Sequence, residues 1–421
     1  MNELFNNKGF LLFMFSRCTA NIGDSIYFIV LLWTVQVATN STSTTGFVYA
    51  AFTIASLFGV AFGPLVDKYY PAVIAGVSLF AQALIIIAIM LLQLNNSFDF
   101  LSIIIILVFV ASLFSTLFYP ADNTLFTKIV EEDSYLKGNA IISSSDQVIN
   151  LIGFLAGGVI ISYWGTFNSF LISVIFLLTA AVSYIVLLKW NKNNNLYSIN
   201  KEKEKEQSNT GNYIGDLKQG LSFIRSNPFL KTVLPFGAVS NATMAILIIL
   251  LPSIGVRYGS SLHYSGMYVA FFIGFIIGAL LTNLIKASGK VVSIAWIGNG
   301  LALSLLALVN NWWLTCVAIV IFGTCSGVLN IVQNTLIQSM TPPYIMGRVM
   351  SAISTINNIG TPLGALIGGV LAISFSLNTI MIFSAVMLFS CGFLLLLKKQ
   401  FREFNLSVAS QIRGEKVNFN G

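Results

Sequence analysis

Only 9% of this 421-residue chain is charged, so charges inside its apolar runs mark where chemistry should be sought. The stretch "SRCTANIGDSIYF", residues 16–28, holds Arg17 and Asp24 in one such run. A carboxylate at the centre of a bilayer costs about 2.5–3.5 kcal/mol on insertion scales. Asp24 must therefore face a protein interior, where it can pass a proton, touch a substrate or serve as a hydrogen-bonded packing residue. Two helical turns, about 10 Å of rise, separate it from Arg17. Helical side chains lean toward the N-terminus, so Arg17 points away from Asp24 and the two form no intrahelical pair. Arg17 then either snorkels to the headgroups or is an interior charge. In "ISSSDQVINLIG", Ser143, Asp146, Gln147 and Asn150 share one helical face. A polar stripe in lipid must line a cavity or another helix, which makes Asp146 a candidate for proton coupling or cation binding. In the second half of the chain the polar candidates are neutral: Asn241 and Gln333, for substrate hydrogen bonds or helix packing, with Asn334, Asn357 and Asn358 nearby. A proton relay, if present, is therefore placed in the N-terminal half, with substrate contacts in the C-terminal half.

The elements that must position these residues are membrane spans. The chain is 56% hydrophobic with a mean hydropathy of +0.84, beyond what a soluble core absorbs. Runs of about 20 apolar residues fall near 10–38, 46–66, 71–94, 100–120, 138–163 and 167–189, then near 229–255, 264–285, 290–309, 312–336, 346–372 and 376–397. The expected fold is an all-α polytopic membrane protein with two six-helix bundles, residues 1–189 and 229–397. Residues 190–228 form a cytoplasmic linker and residues 398–421 a tail. The linker contains the polar run "NKNNNLYSINKEKEKEQSNTGN" and then an amphipathic helix marked by Ile214, Leu217, Leu221 and Ile224. Pro235 and Pro252 suggest a kink in the seventh span. Of 22 Lys and Arg residues, all but Arg17 and Arg257 then lie on one side with both termini, which makes that side cytoplasmic. The first apolar run is too long for a cleavable signal and reads as a true span.

The net charge of +7 is thus topological, and no basic readout face for nucleic acid accompanies it. Cys18, Cys316, Cys325 and Cys391 are dispersed through apolar segments and the chain has one histidine, His263, so no zinc site is expected. Phosphate-loop, zinc-protease and serine-hydrolase motifs are absent from the sequence. A transporter is expected rather than an enzyme, without cofactor, monomeric, with a small-molecule substrate, protons and the lipid bilayer as its partners.

The chain also repeats itself. "DNTLFTKIVEEDSYLKGNA" from Asp122 and "QNTLIQSMTPPYIMGRVMS" from Gln333 share Asn-Thr-Leu and Tyr-x-x-Gly. Each leads into Gly-x-x-x-Gly-Gly, at Gly153, Gly157 and Gly158 and at Gly364, Gly368 and Gly369. These glycines suit close helix packing. Parallel six-span repeats place a substrate cavity between the halves near the midplane.

With "GPLVDKYYP" at Gly63–Pro71, "FYPADNTLFTKIVEEDSYLKGNA", "GFLAGG" and "YIMGRVMSAIS", the chain resembles the major facilitator superfamily. It looks most like the bacterial drug-efflux branch of macrolide-efflux and enterobactin-exporter proteins. The resemblance implies alternating-access efflux of an amphipathic drug, antibiotic or siderophore-like molecule across the bacterial plasma membrane. The same fold also hosts facilitators, metabolite importers and lipid-handling or non-transporting proteins. The resemblance further implies a conformational latch at Gly63 and Asp67, with Lys68 and Arg348 as neighbours, and a role in antiport for the first glycine run. The chain departs from the pattern in having Phe154 for a proline and Ala111 where relatives place an arginine in span four, a charge that Arg17 would replace.

Overall fold

A computed structural model describes residue 4 and residues 7–94, 101–131, 134–193, 213–342 and 345–409. Apolar runs in lipid must satisfy their own backbone groups, which favours helices. Among the described residues the chain is helical, apart from one isolated bridge between Ser288 and Asn405. The helices are α1 (Lys8–Thr39), α2 (Thr42–Ile54), α3 (Gly63–Lys68), α4 (Pro71–Leu94), α5 (Leu101–Ile129) and α6 (Tyr135–Asn193). They continue as α7 (Tyr213–Ser226), α8 (Pro228–Arg257), α9 (Ser261–Leu281), α10 (Gly289–Leu308), α11 (Trp312–Met340), α12 (Met346–Ser374), α13 (Leu377–Leu397) and α14 (Lys399–Arg402).

Ten of the described helices are long and apolar enough to span a bilayer, and two local features reconcile that number with the twelve expected. First, α6 carries two spans, broken at Gly165 with φ 76° and ψ 172°, a conformation essentially confined to glycine. Second, the predicted span at 46–66 is assembled from α2, a 3-10 stretch over Ala55–Phe62 and α3, each too short to cross alone. The seventh span runs as one helix through Pro235 and Pro252. Asparagine side chains cap several starts: Asn7 accepts from Gly9 N–H at 2.9 Å and Asn227 from Phe229 N–H at 3.0 Å.

The chain divides into two compact units. The first comprises Met1–Thr210 with Gly259–Ser265, the second Gly211–Tyr258 with Gly266–Gly421. In the first, α1 packs on both parts of α6, and α4 packs on α5 and α6; in the second, α8 packs along α12, and α10 on α11 and α13. The glycine runs set the α1–α6 and α8–α12 pairings. A methyl at Gly153 would come within 2.5 Å of Ser25 Cβ, and one at Gly157 within 3.2 Å of Ile29 Cβ. At Gly364 it would overlap the Ala242 backbone, and at Gly368 it would come within 3.1 Å of Ile246. Gly158 accepts a hydrogen bond from Ser261 Oγ at 2.9 Å, and Gly369 is buried within α12.

The amphipathic helix expected after the linker is α7. It buries Phe223 and Ile224 and lays Gly220 against the backbone of Arg348 on α12. Ile214 and Leu217, which also marked it, have side chains outside the described set, as does most of the polar linker, residues 194–212. The described part of the tail folds back on the second unit. Phe404 accepts from Gly289 N–H at 2.8 Å, and Phe401 and Phe404 stack on Phe229 at 4.9 and 4.2 Å.

Candidate functional site

In the first unit, α1 presents Arg17, Asn21 and Ser25 on successive turns of one face toward α6. The Arg17 guanidinium grips Asp146 with two hydrogen bonds, Nε to Oδ1 at 3.2 Å and a terminal nitrogen to Oδ2 at 2.8 Å. This is the planar fork geometry that favours arginine over lysine. Asn21 Nδ2 adds a bond to Asp146 Oδ1 at 2.7 Å. One turn further on, Ser25 Oγ donates to Asn150 Oδ1 at 3.0 Å. Beyond that the polar contacts give way to Gly153 and Gly157.

Arg17 also forms an ion pair with Asp122 of α5, and Asp122 accepts from the Tyr184 hydroxyl. Arg17 is 5% exposed and Asp122 0%. Arg17 is thus an interior charge clamped between two carboxylates. Snorkelling to the headgroups, the other reading open to it, is excluded by that burial and pairing. Asp122 is the residue sequence reasoning missed. The hydropathy of span four fades at Pro120, which put Asp122 in a loop, yet α5 continues through Pro120 to Ile129. Phe118, Ala121, Leu125 and Phe126 are all buried around it. Their helical spacing past the proline was the available signal.

Asp24 stands apart from this cluster. Its carboxylate accepts from Gln82 Nε2 at 2.6 Å and from Ser115 Oγ at 3.3 Å, and no cation pairs with it among the described residues. Of the stripe on α6, Asp146 and Asn150 face α1, while Ser143 and Gln147 are exposed.

The second unit has a neutral counterpart. A cavity of about 230 Å³ between α8, α9, α10, α11 and α12 is lined by Asn241, Gln333, Asn334, Asn357, Trp296 and several phenylalanines, with no charged side chain. Asn241 Nδ2 donates to the Asn357 carbonyl at 3.1 Å, tying α8 to α12. The two halves compare residue by residue. The repeated segments align Asp122 with Gln333 and, through Gly153 and Gly364, Asp146 with Asn357. The matched contacts of Ser25 on Gly153 and Ala242 on Gly364 align Asp24 with Asn241 and Arg17 with Leu234. Each membrane-embedded carboxylate of the first unit is an amide in the second.

For the expected latch, the surroundings of Gly63 and the side chain of Asp67 lie outside the described set. Lys68 Nζ sits 5.4 Å from the Tyr69 ring centroid, and Arg348 donates to Gln219 of α7. The four cysteines are unpaired, and no metal-binding group occurs among the described residues.

Comparison with known proteins agrees with this architecture. The family model described as Major Facilitator Superfamily matches residues 13–289 and 270–411. An MFS-type transporter of Bacillus subtilis, YfmI, is 23% identical over 363 residues, covering 83% of this chain and 86% of its own. Macrolide efflux protein A of Streptococcus pyogenes is 23% identical over 334 residues, 77% and 79% of the two chains. The enterobactin exporter EntS of Escherichia coli is 29% identical over 158 residues, 36% of this chain and 38% of its own. Among solved structures, the nucleoside transporter NupG superposes with a TM-score of 0.66 at 13% identity, over 92% of this chain and 97% of that one, which is a likeness of fold. The chain belongs to the major facilitator superfamily, and it is a multi-span membrane transporter rather than an enzyme.

Proposed function

We propose that this transporter is a proton-coupled exporter of an amphipathic small molecule, working by alternating access in a bacterial plasma membrane with both termini cytoplasmic. The observation that carries the coupling is the balance of the charges held between the helices among the described residues of the first unit. Three carboxylates, Asp24, Asp122 and Asp146, are set against the single guanidinium of Arg17. Uncompensated charge at membrane depth is costly, and protonation turns a carboxylate into a neutral group. Asp24 is the coupling residue in this reading, since its neighbours Gln82 and Ser115 are neutral and protonation there breaks no ion pair. Arg17, Asp122 and Asp146, with Asn150, hold α1 against α5 and α6, while Gln147 is exposed and free to meet cargo. Asn241 and Gln333 contact cargo from the second unit. Gly63 and Asp67 belong to the latch that the resemblance implies, with Lys68 and Arg348 as its candidate neighbours, and the glycine runs supply smooth helix contacts for rocking.

Efflux as the direction draws support from the relatives named for macrolide and enterobactin export, and the cytoplasmic termini from the distribution of Lys and Arg. The test is accumulation of a panel of labelled amphipathic antibiotics and dyes in cells with and without the protein, before and after an uncoupler. At least one member should accumulate less in producing cells, and the uncoupler should remove the difference. Greater accumulation in producing cells would reverse the direction. A difference that survives the uncoupler would remove the proton from the mechanism, and no difference for any member would end the exporter reading.

A further inference from the structure

The cavity of the second unit has amides at the positions aligned with the carboxylates of the first, and two of its groups are left without partners. Trp296 is 0% exposed, lines the cavity, and its indole N–H has no hydrogen-bond partner. The side-chain oxygen of Asn357, also buried and on the cavity wall, has none either. A buried donor or acceptor left unsatisfied costs far more than a typical hydrogen bond contributes. One unsatisfied donor and one unsatisfied acceptor belong to residues that line the same cavity, and a molecule that reached both would satisfy them. Gly237 makes room for that oxygen, since a methyl there would come within 2.8 Å of Asn357 Oδ1. Phe271, Phe275 and Phe322 supply flat apolar walls, which suit planar groups.

We propose that this cavity recognises an uncharged, planar, hydrogen-bonding portion of the cargo. Trp296 donates to a cargo carbonyl or hydroxyl oxygen, Asn357 accepts from a cargo N–H or O–H, and the phenylalanines cover the ring faces. A cation finds no carboxylate there and an anion no basic group, because the positions aligned with Asp24, Asp122 and Asp146 are amides. The volume of about 230 Å³ is below that of a site enclosing a whole drug-sized molecule, so one ring-sized portion is held. The proposal rests on the transport reading only in taking the bound molecule to be cargo.

The test is equilibrium binding to the purified full-length protein in lipid nanodiscs, with no ion gradient. Two neutral probes carrying a ring, a carbonyl and O–H or N–H groups, chloramphenicol and uridine, are compared with tetraphenylphosphonium, a cation that forms no hydrogen bonds. At least one neutral probe should bind. Trp296→Phe, which keeps a ring and removes the donor, should weaken it about 3- to 10-fold, the loss of one ordinary hydrogen bond. Gly237→Ala, which crowds the acceptor, should weaken the same probe, and neither change should weaken tetraphenylphosphonium. Failure of both neutral probes to bind would overturn the proposal. So would neutral binding unmoved by either substitution, as expected if water alone satisfies these groups, or equal weakening of the cation. Because no gradient is imposed, a failed coupling assay leaves this result standing, and a failed binding assay leaves proton coupling untouched.

Discussion

Replacing Arg17 with methionine tests whether the α1–α5–α6 cluster is assembled as described. The guanidinium is almost wholly buried, doubly bonded to Asp146 and paired with Asp122. Methionine of similar length fills the space but leaves two carboxylates facing each other. Asp122, with 0% exposure, then keeps only Tyr184. Removing one partner of a buried ion pair costs about 3–5 kcal/mol. For a folded unit of roughly 200 residues each kcal/mol moves the unfolding midpoint about 2–4 °C, so Arg17→Met should lower it by about 6–20 °C. Neutralising the whole cluster is a different perturbation, because ion networks exchanged for neutral groups are often close to isoenergetic. The triple variant Arg17→Met, Asp122→Asn, Asp146→Asn should therefore recover most of the loss. Thermal unfolding of purified protein in detergent, followed by tryptophan fluorescence, measures both. A single variant within about 2 °C of wild type would mean that Arg17 reaches solvent and pairs weakly. A triple variant less stable than the single one would mean that charge is not what holds the three helices.

The remaining expectations concern coupling and packing. Asp24→Asn should leave expression and unfolding midpoint within about 2 °C of wild type, since an amide can still bond Gln82 and Ser115, and should abolish pH-gradient-driven efflux in everted vesicles; unchanged efflux would remove Asp24 from the coupling. Gly364→Ala, whose methyl would overlap the Ala242 backbone, should cost about 1–3 kcal/mol, whereas Gly347→Ala, with no atom within 4 Å, should be neutral or slightly stabilising, both read by unfolding midpoints. Gly165→Ala should cost about 1–3 kcal/mol although its surroundings are open, because the strain lies in the backbone at φ 76°; a midpoint unchanged within 1 °C would contradict that.

The long spans were legible because membrane insertion writes a length and a composition into each of them. The predicted 71–94 and 376–397 differ from α4 and α13 by at most a residue at either end. The second span was legible as an apolar run but not as a helix, a 3-10 stretch and a second helix, since hydropathy is blind to backbone pitch. Arg17 and Asp146 were legible as charges within apolar spans, and the separation of Arg17 from Asp24 followed from helix geometry alone. Their pairing with each other was not, because partner choice between helices depends on rotation and depth, which one-dimensional spacing does not encode. Asp122 was hidden by a proline that ends many helices but, with neighbours to support it, lies inside this one. The amide counterparts Gln333 and Asn357 were present in the aligned repeats, but their meaning depends on knowing that Asp122 faces Arg17.

That alignment has an electrical consequence. An elementary charge moved through a membrane potential of 100 mV gains or loses about 2.3 kcal/mol. Under the proposed alternating access, carboxylates and guanidinium buried in the first unit would couple its rearrangements to that field, whereas the amide-lined cavity of the second unit has no charged side chain on its wall to do so. In the proposed mechanism, two halves built on one repeated pattern would thus answer to different forces: one to voltage and pH, the other to the shape and polarity of what it holds.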